Sequence, residues 1–144
     1  MNALKQIQAC IGGPFNNSPS LFMRWLNPII LEAEEGRLVF QYQVRTEWLN
    51  PANSLHGGVM AAIMDDIIGA TTFTFGEEDS FYTTINNTID YFAMAQVDAI
   101  LIAETKILKK GKQFVHAECE IWNADRSRLI ARGTSNLFKT VLKK

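Results

Sequence analysis

The chain has 144 residues, 47% of them hydrophobic, and a formal net charge of −1; this fits one domain spanning 1–144 that buries roughly two thirds of its unfolded surface. Without a basic stripe or a strongly basic half, it carries no electrostatic footprint for nucleic acid. Cys10 and Cys119 are far apart and form no ligand spacing with His56 or His116, so no metal is expected and free thiols suit a reducing cytoplasm.

The first residues, Met1 to Ile11, are interspersed with polar side chains and lack the apolar run of a signal peptide. No stretch approaches the length of a membrane span, so a soluble, cytoplasmic protein is expected. Leu4, Ile7 and Ile11 recur at helical spacing over residues 2–11, and Gly12-Gly13-Pro14 ends that helix. Residues 15–27 are aromatic and turn-rich, with room for one irregular turn of helix. Ile29–Glu34 and Arg37–Val44 read as a hairpin closed by Glu35-Gly36. After a helix and an acidic loop, strands are predicted over 81–92, 99–108, 113–122 and 128–138. The turns at 109–112 and 123–126 suit antiparallel hairpins. The whole reads as α+β, an antiparallel meander wrapped around one central helix.

That helix organises the chain. Asn50-Pro51-Ala52-Asn53-Ser54 has turn chemistry, and His56-Gly57-Gly58 opens a segment that is apolar nearly all round as far as Thr72. Two acids, Asp65 and Asp66, interrupt it. They lie about 100° apart on a helix, so at most one is expected to face a reacting group, the other being paired or hydrogen-bonded. Glycines at a helix start commonly allow close packing, but their N–H groups at the positive helix end can also hold a developing oxyanion. Gly57 and Asp65 are roughly 12 Å apart along the axis, whereas groups serving one reacting centre must lie within about 3 Å of it. If both serve one acyl-transfer site, two chains must combine across a two-fold axis.

The run Asn50, His56-Gly57-Gly58, Asp65 resembles the active-site segment of hotdog-fold acyl-CoA thioesterases of the phenylacetate-pathway (PaaI) type, and the resemblance extends from about Val44 to Phe138. It implies a hotdog fold, hydrolysis of an acyl-CoA thioester, and a homodimer or dimer of dimers with sites split between subunits. The matching residues are Asp65 as base or nucleophile, the Gly57 N–H and Asn50 on the thioester carbonyl, His56 holding Asn50, and Thr84 bonding a water. Asp66 is the fallback acid. No cofactor is implied beyond the coenzyme A of the substrate, whose phosphates would meet Lys109, Lys110 and Lys112, helped by Arg128 or Arg132.

The bland readings are a turn-forming Asn50, strand hydroxyls of no special role, and a solvated lysine turn. Phe22, Trp25, Trp48, Phe73 and Phe75 suit either a core or a pocket for an aryl or medium-chain acyl group. Two rivals are an enoyl-CoA hydratase or dehydratase of the same fold, for which Trp48-Leu49 stands where an acid is expected, and a non-catalytic acyl-CoA binding module, which would not need Asp65.

Overall fold

The computed structural model describes residues 2–142. Helix α1 (Ala3–Gln8) is capped by the Asn2 side chain, which accepts from the Lys5 N–H at 2.9 Å. It is shorter than the spacing predicts because Gly12 and Gly13 are drawn onto the first strand: the Gly12 N–H donates to the Ile30 carbonyl, and the Ile30 N–H to the Gly13 carbonyl. Gly12 adopts φ +92°, a conformation that suits glycine. The aromatic stretch holds a second helix, α2 (Leu21–Leu26), capped by Ser20 and ended by Asn27 at φ 53°.

Strands β1 (Ile29–Glu34) and β2 (Arg37–Gln43) form the predicted hairpin across Glu35-Gly36. A short 3₁₀ turn, Thr46–Trp48, leads to the Asn50 loop and to helix α3 (Gly57–Phe73). Four strands follow: β3 (Ser80–Tyr91), β4 (Ile100–Lys110), β5 (Phe114–Asn123) and β6 (Leu129–Val141). The sheet order is β1-β2-β4-β5-β6-β3, every pair antiparallel.

This corrects the expected meander. β4, β5 and β6 do follow as hairpins, but β3 crosses to the far edge and pairs with β6, leaving β2 beside β4. The segment after β3 is too long for a hairpin and has its own anchors: Phe92 and Ala93 both donate to the Ile130 carbonyl, and Leu55 donates to that of Ala95. Alternation along a strand fixes which face is buried, whichever neighbour it takes.

The core lies between α3 and the sheet. Met60, Ile63, Met64, Ile67, Ile68 and Thr71 form a buried stripe at helical spacing, met by Val115, Ala117, Cys119 and Ile121 of β5 at 0% exposure. Two features fix the height and the end of the helix. At Gly133 of β6 a Cβ would stand 2.8 Å from the Met64 sulfur, so the helix rests where the sheet has no side chain. Near its C-terminus the Thr71 and Thr105 hydroxyls bond at 2.7 Å, and Thr74 Oγ1 accepts from the Gly36 N–H at 2.8 Å. Among the described residues no helix is long and apolar enough to cross a membrane.

Candidate active site

A register shift in β3 builds one side of the site. Thr84 pairs with Leu137 and Asn86 with Asn136, so Ile85 is bulged out and 54% exposed. In a regular strand residues 84 and 87 would point to opposite faces; the extra residue turns both toward α3. There Thr84 Oγ1 donates to Asp65 Oδ1 at 2.8 Å, and Asn87 Nδ2 donates to the same oxygen at 3.3 Å. The buried Ser135 of β6 donates to Asn87 Oδ1, which aims the amide nitrogen at Asp65.

Asp65 and Asp66 both line a cavity of about 580 Å³, within the range of small-molecule sites. The expectation that only one of them could face it is therefore corrected. Consecutive helical residues diverge by about 100°, but the cavity reaches around this face of α3, with β3 on one side and α1, Ser18, Ser20 and Met23 over it. The two acids meet different surroundings. Asp65 has two donors, whereas Asp66 Oδ2 is shielded from solvent with no hydrogen-bond partner among the described residues. Burial, reinforced by the neighbouring Asp65 charge and opposed by the Ser20 hydroxyl, pushes the Asp66 carboxyl up to about 7.

At the other end of α3, His56 is the N-cap: its Nδ1 accepts from the Gly58 N–H at 2.8 Å, which places the proton of a neutral ring on Nε2. Among the described residues the Gly57 N–H meets no acceptor. Its carbonyl accepts from the Tyr91 hydroxyl at 3.1 Å, and a Cβ at Gly57 would touch the Tyr91 ring at 3.5 Å. The helix thus presents one free N–H at its positive end and its acids two turns on.

Asn50 is held in its own turn. Its Oδ1 accepts from the Ala52 and Ser54 N–H groups, and its Nδ2 donates to Ser54 Oγ at 3.1 Å. The implied link from His56 to Asn50 is replaced by the His56–Gly58 cap. The lysines divide in the same way. Lys110 is an ion-pair residue, 2.6 Å from Glu77 and 4.2 Å from the centre of the Phe75 ring, rather than a free cation. Lys110, with Lys139 and the Tyr82 hydroxyl, holds Glu77 down at about 2. Lys109 and Lys112 line a shallow recess with Gln113, Phe114 and His116. Arg132 pairs with Glu118.

Of the aromatic residues considered for the pocket, Phe73 lines the cavity, joined by Phe15, Phe81 and Tyr82. Trp48 is core, and Arg45 lies between it and Trp25, 4.4 and 4.6 Å from the two ring centres. Phe22 stacks on Trp25, and Phe75 packs edge-on against Tyr82. Sequence reasoning misses Asn87 and Ser135, because a bulge leaves no mark in the alternation of a polar strand. The run Asn86-Asn87-Thr88, poor in strand formers, is the one trace of it in the sequence.

Residues 52–130, more than half of the chain, match the family model of the thioesterase superfamily. The chain belongs to that superfamily. This thioesterase is similar to human acyl-coenzyme A thioesterase 13, with 26% identity over 113 residues, 78% of this chain and 80% of the relative. Its fold matches a variant of the phenylacetic acid degradation protein PaaI from Thermus thermophilus, with TM-score 0.74, 22% identity, and coverage of 83% of this chain and 98% of the other. It also matches a hypothetical thioesterase from Streptococcus pneumoniae crystallised with coenzyme A, with TM-score 0.74, 21% identity, and coverage of 82% and 92%. The molecule is a thioester hydrolase of the thioesterase superfamily with a hotdog fold, the fold it shares with PaaI.

Proposed function

We propose that this thioesterase hydrolyses acyl-CoA thioesters, with Asp65 as the reacting carboxylate. The observation that carries this is Asp65 itself: a carboxylate on a buried helix, oriented by Thr84 and Asn87, at the wall of a cavity large enough for an acyl group. As base, Asp65 takes a proton from water while the water oxygen attacks the carbonyl carbon; the C–S bond then breaks and the proton passes to the leaving thiolate. As nucleophile, an Asp65 oxygen attacks instead, the C–S bond breaks to release the thiolate, and water hydrolyses the resulting anhydride to the free acid and Asp65. In either route negative charge gathers on the carbonyl oxygen, for which a free N–H at a helix start is a suitable partner.

Gly57 of the same chain is roughly 12 Å away along the helix, so the oxyanion donor is assigned to a second protomer. The β3 edge of the sheet supports that arrangement: among the described residues β3 has no neighbour on its outer side, and it exposes Phe81, Ile85 and Tyr91. Within that site the Asn50 loop and His56 shape the approach to Gly57, and Lys109 and Lys112 are assigned to the phosphates of coenzyme A. Phe15, Phe73 and Phe81 favour an aryl or medium-chain acyl group.

The test is release of free thiol from a panel of aryl and alkyl acyl-CoAs by wild type, Asp65→Ala and Asp65→Asn. Loss of about a hundredfold or more in kcat is expected for both variants, and unchanged activity in both sinks the assignment. Single-turnover hydrolysis in heavy-oxygen water separates the routes, since only direct attack leaves label in Asp65. A β3-edge variant that stays folded as a monomer is expected to be inactive.

A further inference from the structure

Asp65 has a role in this chemistry; its neighbour does not. Asp66 shares the cavity, yet its Oδ2 is shut away from water without a hydrogen-bond partner among the described residues. A carboxylate in that state is strongly disfavoured, and such a group keeps its proton instead. The groups that face it supply no counter-charge. On its own helix there is only Asp65. From β2 comes the phenol of Tyr42, itself buried and without a hydrogen-bond partner among the described residues, which burial holds in its neutral form, with the buried Cys119 thiol of β5 behind it. Across the cavity on β3 is Tyr82, and over it lie the uncharged Ser18, Ser20 and Met23. No lysine, arginine or histidine is among the described residues lining the cavity. Burial is the main cause that raises Asp66, the charge of Asp65 adds to it, and the Ser20 hydroxyl, which hydrogen-bonds to the carboxyl, opposes both without cancelling them.

Resting on the thioesterase reading, we propose that Asp65 and Asp66 act as one carboxyl pair holding a single proton, with Asp66 the positioning residue that keeps it. The division follows from the surroundings: Thr84 and Asn87 both donate to Asp65, and a group accepting two donors is the one that carries charge. The cavity then has one anion, at the reacting position, and an uncharged wall beside it. Loss of the second proton would put a second charge on a mostly apolar lining, where it would retain water that the acyl group must displace. It would also repel the anionic intermediate. No bond to substrate forms or breaks at Asp66. The proton taken from water goes to Asp65 and then to the thiolate, and the Asp66 proton stays in place throughout.

The experiment is the dependence of kcat/KM on pH over roughly pH 5.5 to 9 for wild type and Asp66→Asn, with an acyl-CoA that the wild type turns over. It is accompanied by carbon NMR of the aspartate carboxyls in the wild type without substrate. In the wild type, kcat/KM is expected to fall as pH rises through about 7, approaching tenfold per pH unit, as for loss of one essential proton. Asp66→Asn, neutral at every pH, is expected to lack that limb. One wild-type aspartate carboxyl is expected to titrate near 7. The same alkaline limb in Asp66→Asn, or no aspartate carboxyl titrating above about pH 5.5, overturns the proposal. If Asp66→Asn does not fold, the wild-type carboxyl titration alone decides. A wild type that hydrolyses none of the thioesters overturns the hydrolase reading, and the titration still decides whether the pair holds a proton.

Discussion

Replacing Asp66 with asparagine is expected to change how stability depends on pH, quite apart from activity. In the folded chain the Asp66 carboxyl sits at about 7 against its ordinary 3.8, so the native state binds this proton more tightly than the unfolded chain does. Stability from that proton is fully present below about pH 4 and is lost as pH rises to about 7, after which the difference is flat. The interval is about three pH units, and at about 1.4 kcal/mol per unit the full swing is about 4 kcal/mol, an upper limit because water entering the cavity would relieve part of it. Asparagine does not titrate, so the wild-type stability minus that of Asp66→Asn isolates this one group. Carboxylates that work in the opposite sense, such as Glu77 held at about 2 by Lys110, are present in both proteins and cancel. Urea unfolding at pH 4, 5, 6, 7 and 8 measures the difference. A steady fall of about 1 kcal/mol or more per unit below pH 7 fits the buried, unpartnered Oδ2; a difference flat to within about 0.5 kcal/mol across the range refutes it.

Three other substitutions probe the frame around that pair, and a fourth probes the lysine turn. Thr84→Val removes a charge-assisted donor to Asp65, worth about 1.5–3 kcal/mol, and is expected to lower kcat by about tenfold to a hundredfold with little change in KM. Ser135→Ala releases the Asn87 amide that points at Asp65; a smaller fall in kcat is expected, and full activity in both variants would show that the bulged strand does not orient the carboxylate. Gly133→Ala puts a methyl group 2.8 Å from the Met64 sulfur and 3.1 Å from an Ile89 carbon; denaturant midpoints should show a loss of about 1–3 kcal/mol. Replacing Lys109 and Lys112 together by alanine is expected to raise KM for coenzyme A thioesters but not for thioesters lacking the nucleotide, and added salt should erase the difference, as for exposed charges.

Local order determined much of this protein. The alternation in Val115 to Ile121 and in Ala131 to Leu137 fixed two strands and their buried face, and Glu35-Gly36 fixed the first hairpin. A polar turn followed by His56-Gly57-Gly58 placed the start of α3 near Gly57, because caps and turns act over three or four residues, while the fold made His56 the cap. The spacing of Gly57 and Asp65 raised the need for two chains, since helical rise per residue is constant. Only the tertiary structure decided the neighbours. β3 went to the far edge beside β6, a choice of partner that a period of two cannot encode. The bulge at Ile85 brought Thr84 and Asn87 to one face. Glu77 claimed Lys110, and Ser54 claimed Asn50. The two aspartates that look equivalent along the helix became different acids because β3 offers donors to Asp65 while buried, uncharged groups surround Asp66. Charge follows solvation and hydrogen bonding, and both are set by whatever the fold brings alongside.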